Sequence, residues 1–461
     1  MRLLYTLLLA LGTPLILLRL LWRARRQPAY MRHIGERFGF YREKPSRPLI
    51  WLHAVSVGEV RAAEPLVKAL ADTHPQHQIL LTHMTPTGRE TSKQLFGERV
   101  LRCYVPYDLP VCTARFFRHF RPRLGVLLET ELWPNLIRAS LKAGVPLYLV
   151  NARLSERSAR GYARVAGLAR EALAGLTAIG AQTDADAQRL KHLGAREVSV
   201  TGNLKFDRGP SPRDRELGAE LRALFGGRPA ASASLDLADH PGASRHPSSE
   251  RRGEETPTTP PASRAPLLGQ EGNDRARPVV LAASTREDEE ELVLDAVAGL
   301  HREVLIVIVP RHPQRFEDVA RLFEKRNLKF QRRSDDRRIA PDTRFVLGDS
   351  MGELFAYYAA CDVAFIGGSL VPLGGQNLLE ACAVGKPVLI GPHTFNFAEA
   401  TRLAVEAGAA IQVKDAAELG TALAELLADK PKQDRMGAAG RALMLEHQGA
   451  TARTLALLSQ A

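Results

Sequence analysis

The chain has 461 residues, 45% of them hydrophobic and 25% charged, with a formal net charge of +12. That length exceeds one ordinary core and suits two domains with appendages, and the composition is globular, so disorder must be local. The positive charge points to anionic membrane or anionic substrate rather than nucleic acid, because no zinc-finger spacing, aromatic-rich RNP-like strand or Lys/Arg helix stripe is present.

In chain order, the first element is an uncharged run at 3–18, about 24 Å long as a helix and short of a hydrocarbon core of roughly 30 Å. Continuing through Arg19, Leu20, Leu21 and Trp22 reaches the needed length if Arg19 snorkels. Arg23, Arg25, Arg26 and Arg32 follow, which by the positive-inside rule leaves the rest of the chain cytoplasmic. The Arg-Ala-Arg-Arg sequence is a poor signal-peptidase site, and the run is too apolar all round for an obvious interfacial helix. Residues 1–26 are therefore expected to form a single-pass or deeply inserted anchor.

From residue 49 short apolar runs alternate with helical patterns. Strands are predicted at 49–53, 78–82, 101–105, 124–128, 147–150, 178–181 and 198–200, with helices at 61–71, 132–143 and 185–193 among them. Such alternation predicts a parallel α/β sheet. Between 226 and 277 there is no Phe, Trp or Tyr, and Pro, Ser, Gly, Ala and charges dominate; this stretch reads as a disordered linker or insertion. Strands resume at 279–282, 304–309, 344–347, 362–366, 387–390 and 410–413, and 416–459 reads as mostly helical. The expected division is a first α/β domain at 27–225 and a second at 278–461, with a ligand cleft between them. The four cysteines, Cys103, Cys112, Cys361 and Cys382, form no CxxC pair and read as buried thiols; no metal site, disulfide or cofactor is assigned.

Several clusters at strand ends carry candidate chemistry. In His53-Ala54-Val55-Ser56-Val57-Gly58-Glu59, Glu59 stands where a carboxylate could act as general base. It also fits a first-turn acid that complements the helix dipole, and position alone favours that reading. In Glu129-Thr130-Glu131-Leu132-Trp133-Pro134-Asn135, Glu129 lies nearer the strand end than Glu131. Lys205, in Thr201-Gly202-Asn203-Leu204-Lys205-Phe206-Asp207, could reach a phosphate, although a solvated lysine is commoner. Arg311, between Pro310 and His312 at a strand end, is a planar multidentate partner for phosphate. Gly348-Asp349-Ser350-Met351-Gly352-Glu353 caps another helix. Gly367-Gly368-Ser369 and Gly374-Gly375-Gln376-Asn377-Leu378-Leu379-Glu380 would let backbone amides approach a ligand. Asn377 and Glu380 share a helix face, where a carboxylate could take ribose hydroxyls. There is no GxGxxG fingerprint and no Walker A motif.

Taken together, Ser56-Val57-Gly58-Glu59, Met84-Thr85-Pro86-Thr87-Gly88, Pro106-Tyr107-Asp108, Glu129 through Asn135, Asn151-Ala152-Arg153-Leu154-Ser155 and Gly391-Pro392-His393-Thr394-Phe395-Asn396-Phe397 closely resemble the bacterial Kdo (3-deoxy-D-manno-octulosonic acid) transferases. The resemblance runs from the amino-terminal anchor to about residue 448 and omits 226–277. It implies a GT-B fold of two Rossmann-like domains, acceptor-binding first and nucleotide-sugar-binding second. It also implies inverting, metal-independent transfer of Kdo from CMP-Kdo to a lipid A precursor, lipid IV(A), at the cytoplasmic side of the bacterial inner membrane. Glu59 matches the general base. Glu129 and Lys205 match positions that stabilise the transition state. Pro310, Arg311, Met351, Gly352, Glu353, Asn377, Leu378, Leu379 and Glu380 match CMP-binding positions. The expected partners are CMP-Kdo, the lipid A precursor and anionic inner-membrane lipid, with Arg23, Arg25, Arg26, Arg32, Arg37 and Arg42 facing phosphorylated headgroups. Arg286 and Gln376 stand where the family often has His. Rival readings are a UDP-sugar transferase of the same fold, a sugar-nucleotide epimerase and a non-catalytic lipid or nucleotide binder.

Overall fold

The computed structural model describes residues 1–226 and 277–459; the expected linker lies, but for its two end residues, outside them. The amino-terminal helix is Arg2–Arg26. Seven strands then form a first sheet: β1 (Leu49–His53), β2 (Gln78–His83), β3 (Val100–Tyr104), β4 (Leu124–Leu128), β5 (Leu147–Ala152), β6 (Ala178–Ala181) and β7 (Val198–Val200). A second comprises β8 (Val279–Thr285), β9 (Leu305–Pro310), β10 (Phe330–Arg332), β11 (Phe345–Leu347), β12 (Val363–Ile366), β13 (Val388–Ile390) and β14 (Ala410–Gln412). The orders are β3-β2-β1-β4-β5-β6-β7 and β10-β11-β9-β8-β12-β13-β14, parallel throughout. Helices cover both faces, which is why the central strands are continuous apolar runs rather than alternating ones. Packing is close: Gly125 on β4 lies opposite Trp51 on β1, and a Cβ there would come within 2.6 Å of the indole.

The strand order reverses between β1 and β4 in the first sheet and between β8 and β12 at the centre of the second. Crevices at such reversals, beyond the strand carboxyl ends, are where open α/β sheets bind ligands. The sequence clusters at Ser56–Glu59, Glu129 and Gly367–Ser369 follow β1, β4 and β12.

Several expected elements differ in detail. The helix expected at 61–71 is two, Val57–Ala62 and Glu64–Thr73, because Pro65 has no N–H to continue the first. The strand β10 was not expected; three residues with a polar centre, at a sheet edge, leave no apolar signature. The carboxyl-terminal stretch is three helices, Ala416–Ala428, Lys430–His447 and Ala450–Leu458, interrupted at Asp429 and at Gly449 with φ 93°.

Two helices pack on the sheet that their own half of the chain does not build. Helix Pro212–Leu224 puts Leu221, with the following Phe225, into the core of the second sheet, and Arg222 pairs with Asp362 at 2.9 Å. Helix Ala450–Leu458 returns to the first sheet, where Leu457 and Leu458 join its core.

Candidate active site

The carboxyl ends of the two sheets face each other across a cavity of about 330 Å³. Glu59 enters from the first turn of helix Val57–Ala62, which Ser56 caps by accepting from the Glu59 N–H. Its carboxylate receives the Val55 N–H at 2.7 Å and the Ser56 hydroxyl at 3.3 Å. The helix start thus aims the carboxylate rather than merely tolerating it. Burial and then the nearby Glu129 push the Glu59 pKa up to about 8.

Glu129 follows β4 in the left-handed region, φ 58°, a conformation that side chains other than glycine seldom adopt. Its carboxylate pairs with Lys205 Nζ at 3.2 Å, and the same ammonium lies 5.2 Å from the Phe397 ring centroid of the second domain. Buried Asn151, also at positive φ (52°) near the end of neighbouring β5, accepts the Leu204 N–H at 3.0 Å and so fixes the turn that carries Lys205.

The opposite wall comes from the second domain. Arg311 leaves the end of β9, just after Pro310, and donates to Gln376 Oε1 at 3.2 Å. Burial and the neighbouring Arg61 lower its pKa. Glu380 Oε1 is held by Arg208 and by Asn377 at 3.4 Å, while its buried Oε2 has no partner. Arg208 also reaches Glu64 at 3.3 Å, so this one guanidinium ties the first-domain helix Glu64–Thr73 to the second-domain helix Leu379–Ala383. Gly374 and Gly375, at φ 89° and 71°, turn the chain so that Gly375 and Gln376 line the cavity.

The structure brings together Glu59, Glu129, Lys205, Arg311, Asn377 and Glu380 around one cavity. It does not bring Met351, Gly352 or Glu353 to the wall; the exposed Met351 and the Glu353 carboxylate, bonded to Ser350 at 2.7 Å, precede Leu354, which does line it. Leu378 and Leu379 are core side chains. The first glycine pair also departs from expectation. The amides of Gly368, Ser369 and Leu370 are occupied by the buried carboxylate of Glu289, at 2.9 Å for Ser369 and 3.0 Å for Leu370. They brace the turn rather than offer donors to a ligand. Sequence reading missed Arg61 and Arg208. Arg61 lies three residues after Gly58 on one helix face, a spacing that could have flagged it; for Arg208, one residue beyond a candidate cluster, nothing in the sequence indicates a partner 172 positions away.

Two Rossmann-like domains meeting at their switch points, with a buried carboxylate and guanidinium groups from both domains lining the cavity between them, define a glycosyltransferase of the GT-B class. Solved structures of that architecture align along most of the chain. The UDP-GlcNAc 2-epimerase of Neisseria meningitidis gives a TM-score of 0.55 at 13% identity over 90% of this chain and all of that one, a likeness of fold alone. Anabaena HepE with UDP-glucose gives 0.53 at 13% over 89% and 98%. The profile of the 3-deoxy-D-manno-octulosonic-acid transferases matches residues 32–208, and that of group 1 glycosyl transferases matches 274–443. The chain is 40% identical to the 3-deoxy-D-manno-octulosonic acid transferase of Bordetella pertussis, over 98% of this chain and 97% of that one. It is 36% identical to that of Haemophilus influenzae, over 99% and 98%. The protein belongs to the Kdo transferase family.

Proposed function

We propose that this enzyme transfers Kdo from CMP-Kdo to a lipid A precursor, lipid IV(A), with inversion and without a metal ion, on the cytoplasmic side of the inner membrane. The first domain takes the acceptor and the second the nucleotide sugar. The observation that carries this reading is the charge arrangement in the cavity, where buried Glu59 shares one lining with Arg61 and Arg208 of the first domain and Arg311 of the second.

Glu59 removes the proton from the acceptor hydroxyl as that oxygen attacks the anomeric carbon of Kdo, and CMP departs from the opposite side with the bonding electron pair. Arg311 and Arg61 face the departing phosphate and offset its developing charge, the task a metal serves elsewhere. Lys205, held by Glu129, has the reach to bind the Kdo carboxylate. The free Oε2 of Glu380 accepts from ribose hydroxyls. Pro310, Asn377, Leu378 and Leu379 shape the nucleotide side, with Met351, Gly352 and Glu353 leading into Leu354 on the wall.

The test is incubation of the detergent-solubilised protein with CMP-Kdo, generated in situ, and tetraacylated lipid A precursor, with and without EDTA, followed by mass spectrometry of the lipid. A mass gain of whole Kdo units, insensitive to EDTA and absent in Glu59→Gln, is expected. CMP binding without any product from wild-type protein would overturn the donor and acceptor assignment and leave a UDP-sugar transferase as the next reading.

A further inference from the structure

The amino-terminal helix is long and apolar enough to cross a membrane by length and composition. Its contacts describe a different placement. At its amino end the Tyr5 hydroxyl donates to Asp108 at 2.9 Å, Thr6 and Asn135 exchange hydrogen bonds at 2.9 and 3.2 Å, and Arg2 meets Glu171 at 3.1 Å. Asp108 is itself buried and accepts the amides that open helix Pro134–Lys142, so this end docks on a built part of the first domain. At the other end, Leu20 is buried and the chain turns through Pro28–Met31 to Glu36, which binds the Tyr104 amide of β3 and Arg89. The amino end of a helix about 37 Å long is therefore docked on the same domain that its carboxyl end leads into. A helix that spanned the bilayer would hold Tyr5 and Thr6 roughly 30 Å from that domain, on the far side of the membrane.

Exposure along the helix is correspondingly two-sided. Leu4, Leu8, Leu11, Leu15, Leu18 and Trp22, at alternating steps of four and three, form one exposed stripe. Arg2, Tyr5, Thr6, Leu9, Ile16 and Leu20 lie on the other face and are half-buried or buried. Beside the docked end, a groove of about 680 Å³ runs between helices Pro110–Phe120 and Pro134–Lys142. Arg2, Arg118, Arg121, Arg123, Arg138 and Lys142 line it, and among the described residues no carboxylate does. Val111 and Leu141, on the same two helices, are exposed apolar side chains.

We propose that the amino-terminal helix lies in the plane of the membrane interface rather than across it, and that the arginine-lined groove beside its amino end binds the phosphate headgroup of an anionic phospholipid. The leucine stripe enters the acyl boundary while the groove cations take the headgroup, which orients the first domain on the bilayer. The proposal rests on the membrane association inferred above and adds its geometry.

The full chain is bound to vesicles of phosphatidylglycerol and phosphatidylcholine, with a nitroxide placed in turn at Leu4→Cys, Leu11→Cys and Leu18→Cys; the native thiols are buried. One shallow depth at all three positions is expected. A depth that passes through the bilayer centre at position 11 overturns the in-plane helix but leaves membrane association intact, whereas no lipid contact at any position overturns both. In parallel, a Thr6→Cys/Asn135→Cys pair should close a disulfide on vesicles as readily as in detergent, and its failure on vesicles counts against the docked end. The Arg118→Gln/Arg138→Gln pair should weaken binding to phosphatidylglycerol vesicles by about fivefold per arginine, roughly thirtyfold together. CMP binding should be unchanged and Lys at both positions should restore affinity. Unaltered affinity in the Gln pair, or equal affinity for neutral vesicles in wild type, overturns the headgroup site.

Discussion

The environment of Glu59 has consequences for stability and, in the proposed role of general base, for rate. Burial and the carboxylate of Glu129 keep its proton on to about pH 8, well above the ordinary 4.5. A general base must be ionised to act, so kcat/KM for the acceptor should rise with pH and level off above about 8. A profile already flat from pH 6 would remove Glu59 from that role. The stability consequence has the opposite sign. Between about 4.5 and 8 the unfolded chain has lost this proton and the folded one has not, so this group lowers stability as pH rises through that window. Glu59→Gln cannot ionise. Its melting temperature relative to wild type should increase from pH 4.5 to 8 and hold steady above, while transfer is lost.

At the scale of elements, the cavity-lining groups are placed by turns after adjacent strands. Glu129 follows β4 and Asn151 lies near the end of β5, both at positive φ, and the Glu129 amide bonds the Val150 carbonyl. Asn151 then holds Leu204, next to Lys205, through its side-chain oxygen. Asn151→Ala leaves the buried Leu204 amide unpaired, which costs about 1–3 kcal/mol. It should also lower kcat more than it raises KM for CMP-Kdo, because Lys205 loses its position while Arg311 keeps its own. Urea denaturation and steady-state kinetics on the same preparation check both. These turns were legible as clusters, since Gly, Asn and carboxylates at strand ends stand out against apolar runs. Their couplings were not, because residues 151 and 204 meet only after β5, β6 and β7 have paired.

For the whole molecule, the two domains are joined by more than the chain between them. Helix Ala450–Leu458 crosses back to the first core, and Asp207 accepts the amides of Gly449, at 2.7 Å, and Thr451. Truncation after residue 448 removes buried Leu457 and Leu458 at roughly 1.5–3 kcal/mol each, so first-domain stability should fall by on the order of 3–6 kcal/mol. Hydrogen exchange should show that loss in β1, β4 and β5 and spare β8, β9 and β12. Uniform loss across both sheets would mean that the domains unfold as one unit.

The sequence by itself determined the alternation of apolar runs and helices, hence two parallel sheets, and the order of family motifs that brought Glu59, Glu129, Lys205 and Arg311 forward. Those features are local: a strand end, a turn glycine and a first-turn carboxylate are each written in a few consecutive residues. Only the tertiary structure decided which charges meet. Arg208 joins Glu64 to Glu380 across the cleft, Glu289 occupies the amides of the first glycine turn, and Tyr5 and Thr6 draw the apolar amino-terminal helix onto Asp108 and Asn135. Each of these is a polar contact between residues far apart in the chain, and hydrophobic periodicity, which reports burial and not partners, carries no trace of it.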